Sequence, residues 1–567
     1  MEKIYQGGST ITGRFRPNKV VSYKDTMTKA EKRTLLLFSC LIFATCLGLI
    51  LFVASTVVST KFSWLLLVAM LLVLLVELIR LLLSITVLVF AYFAKDPVPM
   101  APQKNLRVAV LTTIVPGKEP FPLVAKTLRE MKRIDPGPGN TLDVWLLDEG
   151  NGPDIKAACR AMGVHHFSRK GIAEWNTPSG PFRARTKHGN HNAWRSAHEN
   201  SYDIVAQMDP DHIPRRNFLT RTLGYFTDPD VAFVVAPQVY GNLQDNWIAN
   251  ASACQSYIFH GIIQRGGNGL NAPLLIGTNH LYRVEAFRQI NGYQDSIIED
   301  HLTSMTIAGT VKADGSKWKG VYTPDLLAVG EGPTSFTDYF NQQKRWAYGI
   351  WEIVRLHTAR ATKTLSKRQA LTHMMLQFFY PSLAVGWVLG SLITLLFSGL
   401  LANFQGLGPI FAVLWLYSFA SSLGLFFWLR RFNLMPHERK DWCLEGMALT
   451  MMCIPVYVNA AWQALIRKPL SYAVTAKGNL ASPDSLQTFT PHLQWMVYNV
   501  LLLEVFSVAS MFGTSVRFSS IYWTIANIFV CALPIGIFAI ARAKTFSPAK
   551  PLRRVFASAR TLQAANN

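Results

Sequence analysis

The chain has 567 residues, half of them hydrophobic, and carries a formal net charge of +22. That balance excludes a soluble multidomain array and points to a polytopic membrane protein. Its seven cysteines, scattered without a CxxC pair, argue against a disulfide framework or zinc knuckle and fit a reduced cytosolic setting for the soluble part.

Eight Lys/Arg precede residue 34, in a polar leader spanning 1–33. The apolar run that follows therefore reads as an anchor and not a cleaved signal. A hydrocarbon core about 30 Å thick needs roughly 20 apolar helical residues, and two stretches within 34–94, at 34–58 and 63–94, satisfy it. Glu77 and Arg80, spaced i, i+3 in the second, are expected to pair with each other.

Residues 95–365 form the water-exposed block. Short apolar strands at 107–111, 144–147, 204–208 and 231–235, with a helical pattern over 123–132, predict an α/β layer fold. Neither GxGxxG after the first strand nor GxxxxGK[ST] anywhere is present, so glycine-cradled dinucleotide or P-loop chemistry is not supported. Instead the second strand runs into Asp148 and the third into Asp209, the strand ends where open α/β sheets bind ligands. Between them lies Lys187-His188-Gly189-Asn190-His191-Asn192. Asp209 and Asp211 alternate, so on an extended segment they share a face and are placed to hold Mg²⁺ or Mn²⁺ against a diphosphate. Asp300 falls near a predicted helix start, where the dipole favours a carboxylate; it suits either an ordinary cap or a general base. Gln342, Arg345 and Trp346 share one face of an amphipathic helix expected near 336–356 and lying on the bilayer. There arginine grips phosphate and indole stacks on a sugar ring, unless the pair merely anchors the helix.

Two further spans are expected within 366–430, at 371–399 and 409–429, and two within 493–541, at 494–513 and 519–541. The intervening 431–492 holds an apolar stretch, 441–466, with Glu445, Pro455 and Asn459 inside it and basic residues on both flanks. Basic flanks on both sides mark it as interfacial or re-entrant. Six spans then leave the soluble block, the basic leader and the basic tail 542–567 in the cytosol, with only Lys61 and Arg517 in the outer loops. Charge placed this way points to anionic lipid rather than nucleic acid. Trp387, Trp415, Tyr417, Trp495 and Trp523 are candidates for a channel lining or an interfacial belt, and Glu504 is expected to face a polar cavity or a helix partner.

Taken in order, these motifs resemble the processive family-2 glycosyltransferases, most closely the cellulose synthases and their bacterial relatives, over residues 100–480. The resemblance implies a cytosolic GT-A (Rossmann-like) domain inserted between transmembrane helices of a bacterial-type inner or plasma membrane. It implies that Asp148 contacts the nucleotide with Lys187 near it, and that Asp209 and Asp211 bind UDP and metal. Asp300 of Ile-Glu-Asp, where the family writes Thr-Glu-Asp, becomes the catalytic base. Arg345 of QxxRW binds diphosphate, while Gln342 and Trp346 hold the acceptor end. Thr475 and Lys477 in Tyr472-Ala473-Val474-Thr475-Ala476-Lys477-Gly478 match the gating loop FxVTxK, with Tyr for Phe. Gly277 and Thr278 lie where the family places an acceptor loop of different wording. About 26 residues follow the last span, too few for the family's cyclic-di-GMP-sensing domain. The implied activity is inverting polymerisation of a UDP-sugar, with Mg²⁺ or Mn²⁺, onto a growing polysaccharide exported through the protein's own membrane helices. A β-1,4-glucan leads, then β-1,3- or mixed-linkage glucan. A chitin- or hyaluronan-type product, or single-sugar transfer to a lipid, is the alternative. No export or oligomer partner is identifiable from the sequence.

Overall fold

The computed structural model describes residues 20–59, 64–397, 408–470, 480–511 and 518–546. The expected gating loop, with Thr475 and Lys477, lies outside the described residues.

Numbering the strands of the central sheet in chain order gives β1 (Arg107–Ile114), β2 (Thr141–Asp148), β3 (His165–Phe167), β4 (Ile204–Gln207), β5 (Val231–Val235), β6 (His280–Arg283) and β7 (Lys319–Tyr322). They lie in the order β7-β5-β6-β4-β1-β2-β3. All neighbours are parallel except β6, which runs antiparallel to both β4 and β5. Both faces are covered. Val108, Ala109, Val110 and Leu111 are all fully buried, the unbroken apolar run expected of a strand with packed layers on each side. Val108 and Val110 join one apolar cluster and Ala109 and Leu111 another, so alternate residues of β1 serve opposite cores.

The helices used below, again in chain order, are α1 (Lys29–Ser59), α2 (Trp64–Tyr92), α3 (Lys187–His198), α4 (Trp247–Ile258), α5 (Glu299–Gly309), α6 (Phe336–Ile353), α7 (Lys367–Gln377), α8 (Phe379–Leu396), α9 (Gly408–Leu429), α10 (Leu444–Leu465), α11 (Thr490–Met511) and α12 (Phe518–Phe546). Among the described residues seven helices are long and apolar enough to cross a membrane: α1, α2 and α8 to α12. In their most apolar stretches six of them bury 17–28% of residues, whereas α10 buries 50%. The sheet domain accounts for this difference. Gly446 of α10 lets the backbone of α4 approach so closely that a Cβ there would sit 2.6 Å from the Gln255 nitrogen. Tyr457, further along α10, donates its hydroxyl to Gln343 of α6 at 2.9 Å.

Within the apolar helices Arg80 donates to Glu77 at 2.9 Å, the expected i, i+3 pair. Trp387 meets Trp495 and Trp415 meets Trp523 edge to face, with centroids 5.9 and 5.5 Å apart. Glu504, expected to face a polar cavity or a helix partner, is exposed on α11.

Candidate active site

The site begins where β2 ends. Asp148 is fully buried; one carboxylate oxygen accepts the Gly150 N–H at 2.6 Å, and the other accepts Gly152 N–H and approaches the His166 ring, both at 3.1 Å. Its role in the fold is thus to curl the loop after β2, and the residues presented to the cavity there are Glu149 and Gly150. Glu149 is held at 2.9 Å by Arg169, which also donates to the carbonyls of Trp175, Arg183 and Thr186 and so ties down the segment leading into α3. That segment crosses α3 at Gly189, where a Cβ would lie 2.1 Å from the Arg183 carbonyl. Thr186 caps the helix by accepting the Gly189 N–H at 3.1 Å.

The aspartate pair after β4 does not lie on an extended segment. Pro210 and Asp211 form a turn, closed by the His212 N–H on the Asp209 carbonyl at 3.0 Å. The turn separates the roles that simple alternation would have made equal. Asp209 is half-buried and lines the cavity, while Asp211 is buried behind it with the Glu331 N–H at 3.0 Å. Even so, carboxylate oxygens of Asp209 and Asp211 and a ring nitrogen of His212 all come within 4.8 Å of one another. The two carboxylates supply the oxygen donors that Mg²⁺ or Mn²⁺ takes, while the imidazole is a softer ligand than either prefers. Lys187, expected near the nucleotide, lines the cavity, pairs with Asp209 and donates to the Gly277 carbonyl at 2.5 Å. Thr278 accepts the Asp209 N–H at 2.9 Å, so this loop braces the aspartate turn.

Asp300 occupies the first turn of α5, as its pattern predicted, and lines the same cavity. Its carboxylate accepts the His301 N–H at 2.8 Å. Burial and the neighbouring Glu299 push its pKa up to about 7, against the opposing pull of backbone N–H groups and Lys187. A carboxylate poised near neutrality is suited to receiving a proton.

Opposite stands α6, capped by Ser335 and by Asp484, whose carboxylate accepts the N–H groups of Phe336 and Thr337. Gln342, Arg345 and Trp346 all face the cavity, as an i, i+3, i+4 set should. Gln343, which also borders the cavity, is clamped by Tyr457 and by Gln255, which also receives the Tyr339 hydroxyl. This network fixes the rotation of α6 about its axis.

Asp209, Asp300, Gln342, Arg345 and Trp346 share one cavity of about 1070 Å³. Its far wall comes from membrane helices: Leu83 and Val87 of α2 and Phe379 and Tyr380 of α8. Gly277 and Thr278 line it too. Asp148 and Asp211 do not, each lying one layer behind. Sequence reasoning missed Glu149, Asn190 and His212. Each adjoins or lies within a motif already singled out, but nothing in the spacing separated them from their neighbours.

Comparison with known proteins follows this geometry. Residues 204–429 match the profile described as glycosyl transferase family group 2. A cellulose synthase catalytic subunit (UDP-forming) of Xanthomonas axonopodis pv. citri (strain 306) is 27% identical over 312 residues, covering 52% of this chain and 40% of that protein. Its counterpart from Pseudomonas fluorescens (strain SBW25) is 26% identical over 312 residues, covering 52% and 39%. The chain thus spans about two fifths of the length of these relatives. A mannosyltransferase from Pyrobaculum calidifontis, solved with GDP-Man and Mn²⁺, aligns over 71% of this chain and 100% of its own at 16% identity, with a TM-score of 0.44.

Proposed function

We propose that this chain is a processive, inverting glycosyltransferase that polymerises glucose from UDP-glucose into a β-glucan and passes the product between its own membrane helices. The observation that carries this reading is the single cavity in which Asp209, Asp300, Arg345 and Trp346 meet, and which runs on to α2 and α8. The matched relatives, described as UDP-forming, support UDP as the leaving group.

In this reading the donor diphosphate lies against Arg345 and the Lys187–Asp209 pair, with Asp209 and Asp211 holding Mg²⁺ or Mn²⁺. The bound cation supplies charge neutralisation for the departing phosphate. The acceptor end stacks on Trp346, beside Gln342. Asp300 takes the proton from the acceptor hydroxyl as its oxygen attacks the anomeric carbon. The carbon–oxygen bond to phosphate breaks in line, and UDP leaves with the electron pair. One displacement inverts the α-linked donor to a β-linked product, and because UDP leaves without being protonated, no second catalytic carboxyl is needed. Asp148 acts on the nucleotide through the loop it shapes, by way of Glu149 and Gly150. Thr475 and Lys477 are assigned to closing over the bound nucleotide on resemblance alone, and β-1,4 linkage is favoured on the same ground.

The test uses purified full-length protein in lipid nanodiscs with Mg²⁺ or Mn²⁺, given radiolabelled UDP-glucose or UDP-N-acetylglucosamine. Insoluble label is expected from UDP-glucose and should be released by a β-1,4-glucanase. Label from UDP-N-acetylglucosamine alone, or only in lipid extracts, would replace the glucan reading.

We further propose that α10 lies along the cytosolic membrane surface, leaving six spans that place the sheet domain and the 1–33 and 542–567 segments in the cytosol. Its burial, its packing on α4 and α6, and Glu445 within reach of the Asn250 amide support this. Single cysteines introduced at Lys468 and Lys440 into a cysteine-free variant are expected to react with impermeant maleimide only from the cytosolic side. Labelling of the two from opposite sides would make α10 a seventh span.

A further inference from the structure

The transfer chemistry leaves one polar group of α3 unused. Asn190 is 1% exposed and lines the cavity, yet among the described residues neither its Oδ1 nor its Nδ2 has a hydrogen-bond partner. A buried amide without partners costs folding free energy that an apolar side chain would not, so its presence calls for a bound group that satisfies it.

The position of Asn190 narrows the identity of that group. It lies three residues after Lys187, on the same side of α3. The Lys187 ammonium is tied to Asp209 on one side and to the Gly277 carbonyl on the other. A Cβ at Gly277 would lie 3.7 Å from the Asp300 carboxylate. The first turn of α3 therefore sits between the aspartate turn, where the diphosphate ends, and the base that activates the attacking hydroxyl. On the glycosyltransferase reading, the hexose ring of the donor occupies the space between those two points. Its ligands there are neutral hydroxyls, and a carboxamide offers one acceptor and one donor side by side, the complement of two adjacent hydroxyls.

We propose that Asn190 binds hydroxyl groups of the donor hexose and sets the enzyme's choice among UDP-sugars, an inference that rests on the glycosyltransferase reading above. The nucleotide and the diphosphate are held by other groups.

The experiment compares the full-length wild type with Asn190→Ala and Asn190→Ser in nanodiscs. It reads kcat/KM for UDP-glucose and UDP-galactose, competition by UDP, and thermal midpoints alone, with UDP and with UDP-glucose. Asn190→Ala is expected to lose about tenfold to a hundredfold in kcat/KM for UDP-glucose and to narrow the gap between the two epimeric donors. UDP should compete as it does with the wild type, and the midpoint without ligand should be unchanged or higher. Asn190→Ser, which supplies one short hydroxyl able to donate and accept, should recover part of the loss. Unchanged kcat/KM, a parallel loss of UDP affinity, or a lowered unliganded midpoint would each overturn the assignment. A wild type that makes no polymer yet gains more midpoint from UDP-glucose than from UDP, with that excess absent in Asn190→Ala, would sink the polymerase reading and uphold the sugar contact.

Discussion

Asp300→Asn is expected to reduce polymer synthesis by about 10²- to 10⁴-fold, the range a positioned general base contributes, while leaving UDP binding intact. The amide keeps the shape of the carboxyl and an oxygen for the His301 N–H, but cannot accept the acceptor's proton. In the wild type the ionised form is the active one, and its pKa is raised to about 7 by burial and by Glu299. The rate should therefore climb with pH through neutrality and level off above it, an acid limb that the variant's residual activity lacks. Stability supplies an independent check with the opposite sign. Because folding raises this pKa above its ordinary value, ionisation opposes the folded state, with the cost growing from the ordinary carboxylate range up to about pH 7 and fully present beyond it. Removing the charge should leave the thermal midpoint at pH 8 unchanged or higher. Full turnover by Asp300→Asn, or collapse of its fold at pH 8, would remove Asp300 from the mechanism.

The parts legible in sequence were those governed by short-range periodicity. The apolar stretches of α1, α2, α8, α9, α11 and α12 were readable from length and hydropathy, and β1, β2, β4 and β5 from runs of branched and apolar residues. The shared face of Gln342, Arg345 and Trp346 followed from helical spacing. What escaped was set by contacts distant in the chain. Strand β6 reads His-Leu-Tyr-Arg, without a strong apolar run, and exists because it fills the space between β4 and β5. The Asp209–Asp211 turn escaped because Pro210 redirects the backbone, so alternation no longer means a common face. Likewise the pairing of Lys187 with Asp209 was not readable, since it depends on how α3 packs against the end of β4. Asn190 was hidden for a related reason: its significance lies in missing partners, which only the packed structure reveals.

Asp211→Asn provides the sharpest contrast with loss of the base. The carboxylate is buried, accepts the Glu331 N–H at 3.0 Å and stands 3.5 Å from the His212 ring. An amide in its place can keep the bond from Glu331 through its oxygen, so the turn should persist, but it removes the negative charge that a cation needs behind Asp209. Charge stabilisation of a leaving phosphate by a metal is worth several kcal/mol, or about 10³-fold in rate. Wild-type synthesis should accordingly cease with EDTA and return on adding Mg²⁺ or Mn²⁺. In Asp211→Asn the cation concentration for half-maximal rate should rise sharply and saturating cation should not restore the full rate. Calorimetry distinguishes the two lesions without turnover. Added cation should tighten UDP binding in the wild type and in Asp300→Asn, but scarcely in Asp211→Asn. If EDTA leaves the wild type active, or if Asp211→Asn shows undiminished coupling between cation and UDP, the aspartate turn does not hold the metal and Arg345 and Lys187 must carry the diphosphate alone.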